Sequence, residues 1–249
     1  MIQKWIEKGN QFFIKGDIKK AIKAFEKVLD PSSCQVALGD ICVKLNKYNE
    51  AIQYFEKAAK LNPNHEVAWN NLANVYSHVG KTEQSINAYK KSLESNPDYA
   101  PALTNLAGQY NNMEEYSGAK ELLEKAVKSD PKNTTTWQLL GNTYWGLNDV
   151  NNAIKAYKKA IEIDNRNIVA WENLGVVSFK TEDYEGGIIA FREALKIEPT
   201  YLRAWIGLHK CYKEKGDLIN TIQTHAFITE LQGKKSGIGS IILNKNDDE

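Results

Sequence analysis

A one-sided charge, long apolar runs and signal-peptide features are absent from this 249-residue sequence. Its 32 basic and 31 acidic side chains leave a formal net charge of +1, whereas a general nucleic-acid-binding protein normally has a basic excess. No run approaches the roughly 20 apolar residues of a transmembrane helix, and residues 1–8 contain no apolar core of signal-peptide length. We therefore predict no nucleic-acid partner, no membrane insertion and a cytoplasmic location.

Cysteine is also scarce, with only Cys34, Cys42 and Cys211 present. Cys34 and Cys42 are eight residues apart in a predicted helix, which separates them by roughly 12 Å, too far for a disulfide. We expect all three to be buried free thiols.

Arrangements of residues typical of catalysis are missing as well. The four histidines are scattered, and no Cys-x-x-Cys occurs, so a zinc site is not predicted. Gly237-Ile238-Gly239 lacks the later glycine or lysine of a phosphate-binding loop. We predict that the chain is not an enzyme and that it holds no metal or other cofactor.

An internal repeat of 34 residues is the strongest pattern that the sequence does contain. One leucine recurs at this spacing without a gap, at Leu38, Leu72, Leu106, Leu140, Leu174 and Leu208. Tryptophan keeps the same step at Trp137, Trp171 and Trp205. Apolar residues within each copy follow helical spacing, so each copy is predicted to be a pair of helices.

The break between the two predicted helices carries residues that tolerate a left-handed backbone. These are Gly16, Gly80, Gly216, Asn46 and Asn148. Since one helix pair is too small to bury its own apolar face, neighbouring copies are expected to stack and bury it between them.

The segment from Trp137 to Tyr144, followed by Ala153, Tyr157 and Ala160, resembles the tetratricopeptide repeat family. The resemblance implies an all-α, right-handed superhelical solenoid of helix-turn-helix repeats. Seven copies begin near residues 2, 32, 66, 100, 134, 168 and 202, and they form one domain over residues 1–232 whose last copy is a C-terminal cap. Residues 233–249 leave the repeat as an expected flexible tail; in an alternative, Ile241–Leu243 folds back into the groove.

In this family the first helices line a concave groove, so the resemblance implies a set of candidate peptide-binding residues. They are Asn70, Asn71, Asn74, His78, Thr104, Asn105, Asn112, Gln138, Asn142, Trp145, Asn173, Phe179, Lys180, Arg203 and Lys210. Phe179, Lys180, Arg203 and Lys210 would make the C-terminal end of the groove aromatic and basic.

Asparagine is frequent among these candidates, and an amide can bond both the N–H and the C=O of a peptide. The column Asn71, Asn105 and Asn173, interrupted by Leu139, resembles the asparagine ladder in the repeat domain of O-linked N-acetylglucosamine transferase. The alternative is an ordinary solvated helix face. Trp145 is similarly open: it either anchors a ligand side chain or packs against the neighbouring first helix.

The resemblance predicts a scaffold or adaptor that binds an extended peptide or a partner helix in its groove. A self-assembling homo-oligomeric scaffold and a regulatory subunit of an enzyme encoded elsewhere stay open as alternatives. Among the five positions with which chaperone-binding members grip a carboxylate, only Asn10 matches, and Ile6 stands in place of the first lysine. Recognition of a heat-shock chaperone tail is therefore not expected.

Overall fold

The computed structural model describes the backbone of residues 2–243 and the side chains of residues 4–233. Over that range the chain forms fourteen α-helices and no strand. The expected all-α fold of helix-turn-helix repeats is confirmed.

The helices form seven consecutive pairs, each made of a first and a second helix. Their bounds are α1 Ile2–Ile14, α2 Ile18–Phe25, α3 Pro31–Lys44, α4 Tyr48–Leu61, α5 Glu66–His78, α6 Thr82–Ser95, α7 Ala100–Asn112, α8 Tyr116–Ser129, α9 Thr134–Gly146, α10 Val150–Ile163, α11 Ile168–Lys180, α12 Tyr184–Ile197, α13 Leu202–Glu214 and α14 Leu218–Leu243.

These pairs group into two compact units, Met1–Pro131 and Lys132–Glu249. Inside the first unit, each first helix packs against its own second helix and against the first helix of the next pair, as α3 does with α4 and α5. The second unit repeats this arrangement, with α11 against α12 and α13. A cleft between consecutive first helices is therefore a local feature that each unit builds by itself.

In four of the described helix pairs, a glycine of the first helix lies against an aromatic ring of the second. A Cβ atom added at Gly39 of α3 would lie 2.5 Å from a ring carbon of Phe55 on α4, and Gly141 stands in the same relation to Tyr157. Both rings are almost completely buried. Because no real Cβ atom approaches a carbon this closely, the first helix can sit against the ring only where its side chain is a hydrogen atom.

The turn inside each pair contains one residue with a left-handed backbone. The expected positions all have φ between 58° and 80°: Gly16, Asn46, Gly80, Asn148 and Gly216. Glu114 and Glu182 occupy the equivalent turns with φ of 61° and 63°, which their residue type did not indicate.

The last helix is longer than the sequence suggested. α14 continues to Leu243 instead of ending near Gln232, where the flexible tail was expected to begin. Each glycine beyond Gln232 costs roughly 1 kcal/mol in a helix, but no proline follows Pro199 to interrupt the backbone hydrogen bonds. Residues 244–249 lie outside the described residues, as do the side chains of Ile241–Leu243, on which the fold-back alternative depends.

All three cysteines are free and buried, as the sequence predicted. Burial raises the pKa of each thiol to about 11. Because the thiolate is the reactive form, the folded protein keeps Cys34, Cys42 and Cys211 chemically inert.

Candidate functional site

A cleft of about 300 Å³ opens where α3, α4 and α5 meet, and we name it the Asp40 cleft. Its walls are formed by Asp40, Val43, Tyr48, Phe55, Asn71, Asn74, Val75 and His78. Three of the predicted groove residues, Asn71, Asn74 and His78, lie on one face of α5 because they are spaced by three and four residues. The structure therefore brings these three residues together around one cavity.

A cleft at the equivalent place in the second unit has about the same volume, 320 Å³, and lies between α11, α12 and α13. We name it the Lys210 cleft. Its walls are formed by Glu172, Val176, Phe179, Lys180, Phe191, Arg203, Ile206, Gly207 and Lys210. Phe179, Lys180, Arg203 and Lys210, expected from the sequence to share an aromatic and basic surface, do line one cavity.

In the predicted asparagine column, the amide nitrogen of each asparagine donates a hydrogen bond to the preceding repeat. The donor and acceptor are always 31 residues apart. The bonds are Asn71 Nδ2 to Asp40 Oδ1 at 2.9 Å, Asn105 Nδ2 to Asn74 Oδ1 at 3.0 Å, and Asn173 Nδ2 to Asn142 Oδ1 at 3.1 Å. Each amide of the column therefore uses at least one of its two N–H groups within the protein.

Tyrosines of the second helices hold the acceptors of these bonds in place. The Tyr89 hydroxyl donates to Asn74 Oδ1 at 2.6 Å, and the Tyr157 hydroxyl donates to Asn142 Oδ1 at 2.7 Å. Burial raises the pKa of Tyr89 to about 12, so its hydroxyl stays protonated and remains a donor. Among the described residues, no group donates to Oδ1 of Asn105 or Asn173.

Two predicted groove residues, Asn70 and Thr104, are in fact buried, with 4% and 5% of their surfaces exposed. They occupy equivalent positions, on the side of the first helix that faces the next first helix. Asn70 Oδ1 accepts a hydrogen bond from Asn105 at 3.3 Å across that interface. Their assignment to the groove surface is therefore corrected: they lie beneath it.

In the second unit, Gln138 and Glu172 occupy the repeat position of Asn70 and Thr104. Gln138 Oε1 accepts from Asn167 Nδ2 at 3.3 Å. Glu172 accepts from the Tyr201 hydroxyl and, at 3.5 Å, from the exposed Arg203. Burial, together with the bond to Glu172, raises the pKa of Tyr201 to about 12. Glu172 is thus engaged, which leaves the Lys210 cleft with basic groups facing solvent.

Trp145 is half-buried and packs against the core cluster that contains Tyr157, Leu174 and Val177. These contacts favour the packing alternative for its main role. Trp145 occupies the repeat position of Val43 and Phe179, which line the two clefts. Its role as a ligand anchor stays a prediction, as does that of the exposed Asn112 at the end of α7.

Two further clefts, between successive second helices, were missed by the sequence analysis. They have volumes of about 460 and 490 Å³ and are floored by Trp69 and Trp205. The indole N–H groups donate to the carbonyl oxygens of Pro63 and Pro199 at 2.8 and 2.7 Å. The recurring tryptophan was the available signal, because Trp171 makes the same bond to the carbonyl oxygen of Asn165, also six residues earlier.

The described part of the chain shows neither a metal-binding cluster nor a membrane-crossing helix. No group of three or more histidine, cysteine, aspartate or glutamate side chains in residues 4–233 is placed to hold a metal ion. No described helix is both long enough and apolar enough to span a bilayer.

Residues 65–217, more than half of the chain, match the family model described as "Cilia and flagella-associated protein 70 C-terminal domain", and residues 39–80 match the model "TPR repeat". The chain belongs to the tetratricopeptide repeat family. No curated protein matches it in sequence at a significant level.

Solved structures of other tetratricopeptide repeat proteins are similar to this chain in fold. PilW, a type IV pilus biogenesis factor, aligns with a TM-score of 0.74 and 15% identity over 82% of this chain and 94% of its own. PilF of Pseudomonas aeruginosa aligns with a TM-score of 0.71 and 16% identity, covering 80% and 91%. YrrB, described as having an unusual peptide-binding site, aligns with 0.62 and 22%, covering 72% and 92%.

The tetratricopeptide repeats of this chain keep their packing residues and vary their cleft residues. The packing leucine is present in six consecutive repeats. The residue two positions after this leucine lies at the clefts, and its type varies among the repeats, with only asparagine occurring twice. These residues are Asp40, Asn74, Gly108, Asn142, Val176 and Lys210. A constant fold thus carries a surface whose chemistry differs from one repeat to the next.

Proposed function

We propose that this protein is a non-catalytic scaffold or adaptor that binds an extended peptide along its first helices. The observation that carries the proposal is the hydrogen-bonded asparagine column, whose first member, Asn71, lines the Asp40 cleft. Asn105 and Asn173 donate their amide hydrogens to the protein, and this fixes the orientation of their side-chain oxygens. Oxygens held in this way can accept N–H groups from a peptide backbone with little further loss of entropy.

The chain itself supplies a suitable substitution to test this proposal. Leu139 occupies the same column as Asn105 and Asn173, so leucine is compatible with the helix at that position. We would select 12-residue peptides from a random phage library on the wild-type chain. The affinities of the selected peptides would then be measured for the wild type and for an Asn105→Leu, Asn173→Leu double variant.

We expect the affinity of the double variant for the selected peptides to fall at least about tenfold, because hydrogen bonds to the peptide backbone would be lost. Circular dichroism should show unchanged helicity. The control is Asn87→Leu, which alters an exposed asparagine in the cleft floored by Trp69 and should leave affinity unchanged. Equal affinity for the wild type and the double variant, or failure of the wild type to select any peptide, would refute the proposal.

Self-assembly is the second candidate function, and the first two turns of α14 favour it. Leu218, Ile219 and Ile222 are 74%, 71% and 69% exposed there. Large exposed apolar side chains gathered on one surface commonly mark a protein–protein interface. Light scattering should show the molar mass rising with concentration for the wild type and staying monomeric for Ile219→Lys, Ile222→Lys. A wild-type chain that is monomeric at all concentrations would exclude this candidate.

A further inference from the structure

Asp40 places an acidic side chain in a cleft position that is neutral or basic in the five repeats that follow. The equivalent residues are Asn74, Gly108, Asn142, Val176 and Lys210. The asparagines show that this position requires only an acceptor for the next repeat's amide, since Asn74 and Asn142 serve that purpose without a charge. The negative charge of Asp40 is therefore not explained by the fold.

The Asp40 carboxylate is only partly satisfied by the protein. Asn71 Nδ2 donates to Oδ1 at 2.9 Å, and among the described side chains no lysine, arginine or histidine nitrogen lies within 4 Å of either oxygen. Asp40 is half-buried, and this burial raises the pKa of its carboxyl group, against the opposing effects of Asn71 and Lys44. A partly desolvated carboxylate gains more from a positive partner than an exposed one does.

The walls around Asp40 suit a long side chain with a charged end. Val75 and Phe55 are buried and apolar, and Val43 is half-buried beside them. The rings of Tyr48 and His78 are in contact, with centroids 4.3 Å apart and ring planes inclined by 43° to each other. Methylene groups can pack on such apolar walls, while aromatic faces attract a guanidinium or ammonium group.

We propose that the Asp40 cleft is a specificity pocket for a lysine or arginine side chain of the bound peptide; this rests on the proposed peptide-binding function. The charged head pairs with Asp40 Oδ2, and the aliphatic stem lies between Val43 and Val75. In the Lys210 cleft, Lys210 and Val176 replace Asn74 and Asp40, so that cleft repels the same side chain. Selectivity for the basic residue therefore belongs to one place along the chain.

The probe is a random 12-residue phage library selected on the full wild-type chain, on Asp40→Asn and on Asp40→Lys. The chain accepts asparagine at this position, as Asn74 shows, and its carbonyl can still accept from Asn71. Glu94→Gln is the matched control, because it removes one negative charge from an exposed site on α6 that lines none of the clefts described above.

We expect wild type and Glu94→Gln to enrich lysine or arginine at one fixed position of the selected peptides. Asp40→Asn should keep the rest of the motif but lose that preference, and Asp40→Lys should replace it with aspartate or glutamate. Changing the basic residue to norleucine should weaken binding about tenfold for wild type and less than about twofold for Asp40→Asn.

Enrichment without a basic position, or a basic preference that survives in Asp40→Asn, would overturn the pocket assignment. Peptides that lack the basic residue but still depend on Asn105 and Asn173 would leave the proposed function standing while this inference fails. If wild type selects no peptide, both are overturned.

Discussion

Single residues in the turn between paired helices adopt a left-handed backbone whatever their type. Glycine meets this demand without strain, and asparagine meets it with little. Glu114 and Glu182 have φ of 61° and 63°, and their side chains are exposed at the turn. Among the described residues, neither glutamate side chain has a hydrogen-bond or ion-pair partner. The two positions therefore store backbone strain that a single substitution can release.

Glu114→Gly and Glu182→Gly should each stabilise the folded protein by about 1 kcal/mol, since glycine removes the left-handed penalty. Urea titration followed by circular dichroism would measure the free energy of unfolding. The control is Glu121→Gly, at an exposed interior position of α8, where glycine should destabilise by about 1 kcal/mol. Destabilisation by all three glycines would contradict the strain argument.

Asp40 gives a pH dependence of known sign. Burial raises the pKa of its carboxyl group, so the folded protein binds this proton more tightly than the unfolded chain does. The resulting stability is complete below the unfolded pKa of about 4 and is lost as pH rises through the folded pKa. Asp40→Asn has no such loss, so its free energy of unfolding relative to wild type should increase between about pH 3 and about pH 7.

Asp17→Asn provides a control of opposite sign. The Lys20 ammonium donates to the Asp17 carboxylate at 2.6 Å, and this bond lowers the pKa of Asp17. Its stabilisation is present above the unfolded pKa and is lost as pH falls through the folded pKa, so Asp17→Asn should lose stability relative to wild type as pH rises. A relative stability of Asp40→Asn that falls over the same interval would contradict the assigned direction.

At the scale of the helix pair, the second pair contains one close approach between a glycine and an aromatic ring. Gly39→Ala should destabilise the protein by about 1–3 kcal/mol, because the new methyl group would overlap the Phe55 ring. Adding Phe55→Leu should recover part of this loss, since the fourth repeat carries the buried pair Ala107 and Leu123 at the same positions. Thermal unfolding of the single and double variants would measure both effects.

Gly108→Ala tests whether Gly39→Ala destabilises the protein through overlap with the Phe55 ring or merely through the loss of a glycine. A Cβ at Gly108 meets no atom within 4 Å, so alanine in the interior of α7 should stabilise by about 0.5–1 kcal/mol. Equal destabilisation by Gly39→Ala and Gly108→Ala would show that the contact with Phe55 is not what selects glycine.

The sequence predicted helix pairs well because spacing alone encodes them. The leucine and tryptophan columns set the register, and the glycine and asparagine turns followed from backbone tolerance. Residue spacing could not predict how deeply a side chain is buried. Asn70 is next to Asn71 in the sequence, yet it is buried because the neighbouring first helix covers it. Nor could spacing identify the Asp40 cleft, because its walls come from three helices and the carboxylate oxygen to which no described group donates is visible only in the structure.

At the scale of the whole molecule, stability should be a sum of local terms, because each repeat packs only against its neighbours. The three buried cysteines can be used to measure the local stability of the repeats that contain them. Cys34 and Cys42 lie on α3 in the first unit, and Cys211 lies on α13 in the second. Since burial raises the pKa of all three thiols to about 11, each should react with an alkylating reagent only when its surroundings open.

Gly39→Ala should therefore accelerate alkylation selectively. We expect Cys34 and Cys42 to react about 5 to 150 times faster than in wild type, the factor that about 1–3 kcal/mol of lost stability produces. Cys211 should change by less than about twofold, because it lies five repeats further along the chain, on α13 of the second unit. Peptide mass spectrometry after timed labelling would resolve the three sites. Equal acceleration at all three would mean that the chain opens only as one cooperative body, and the additive account of its stability would be wrong.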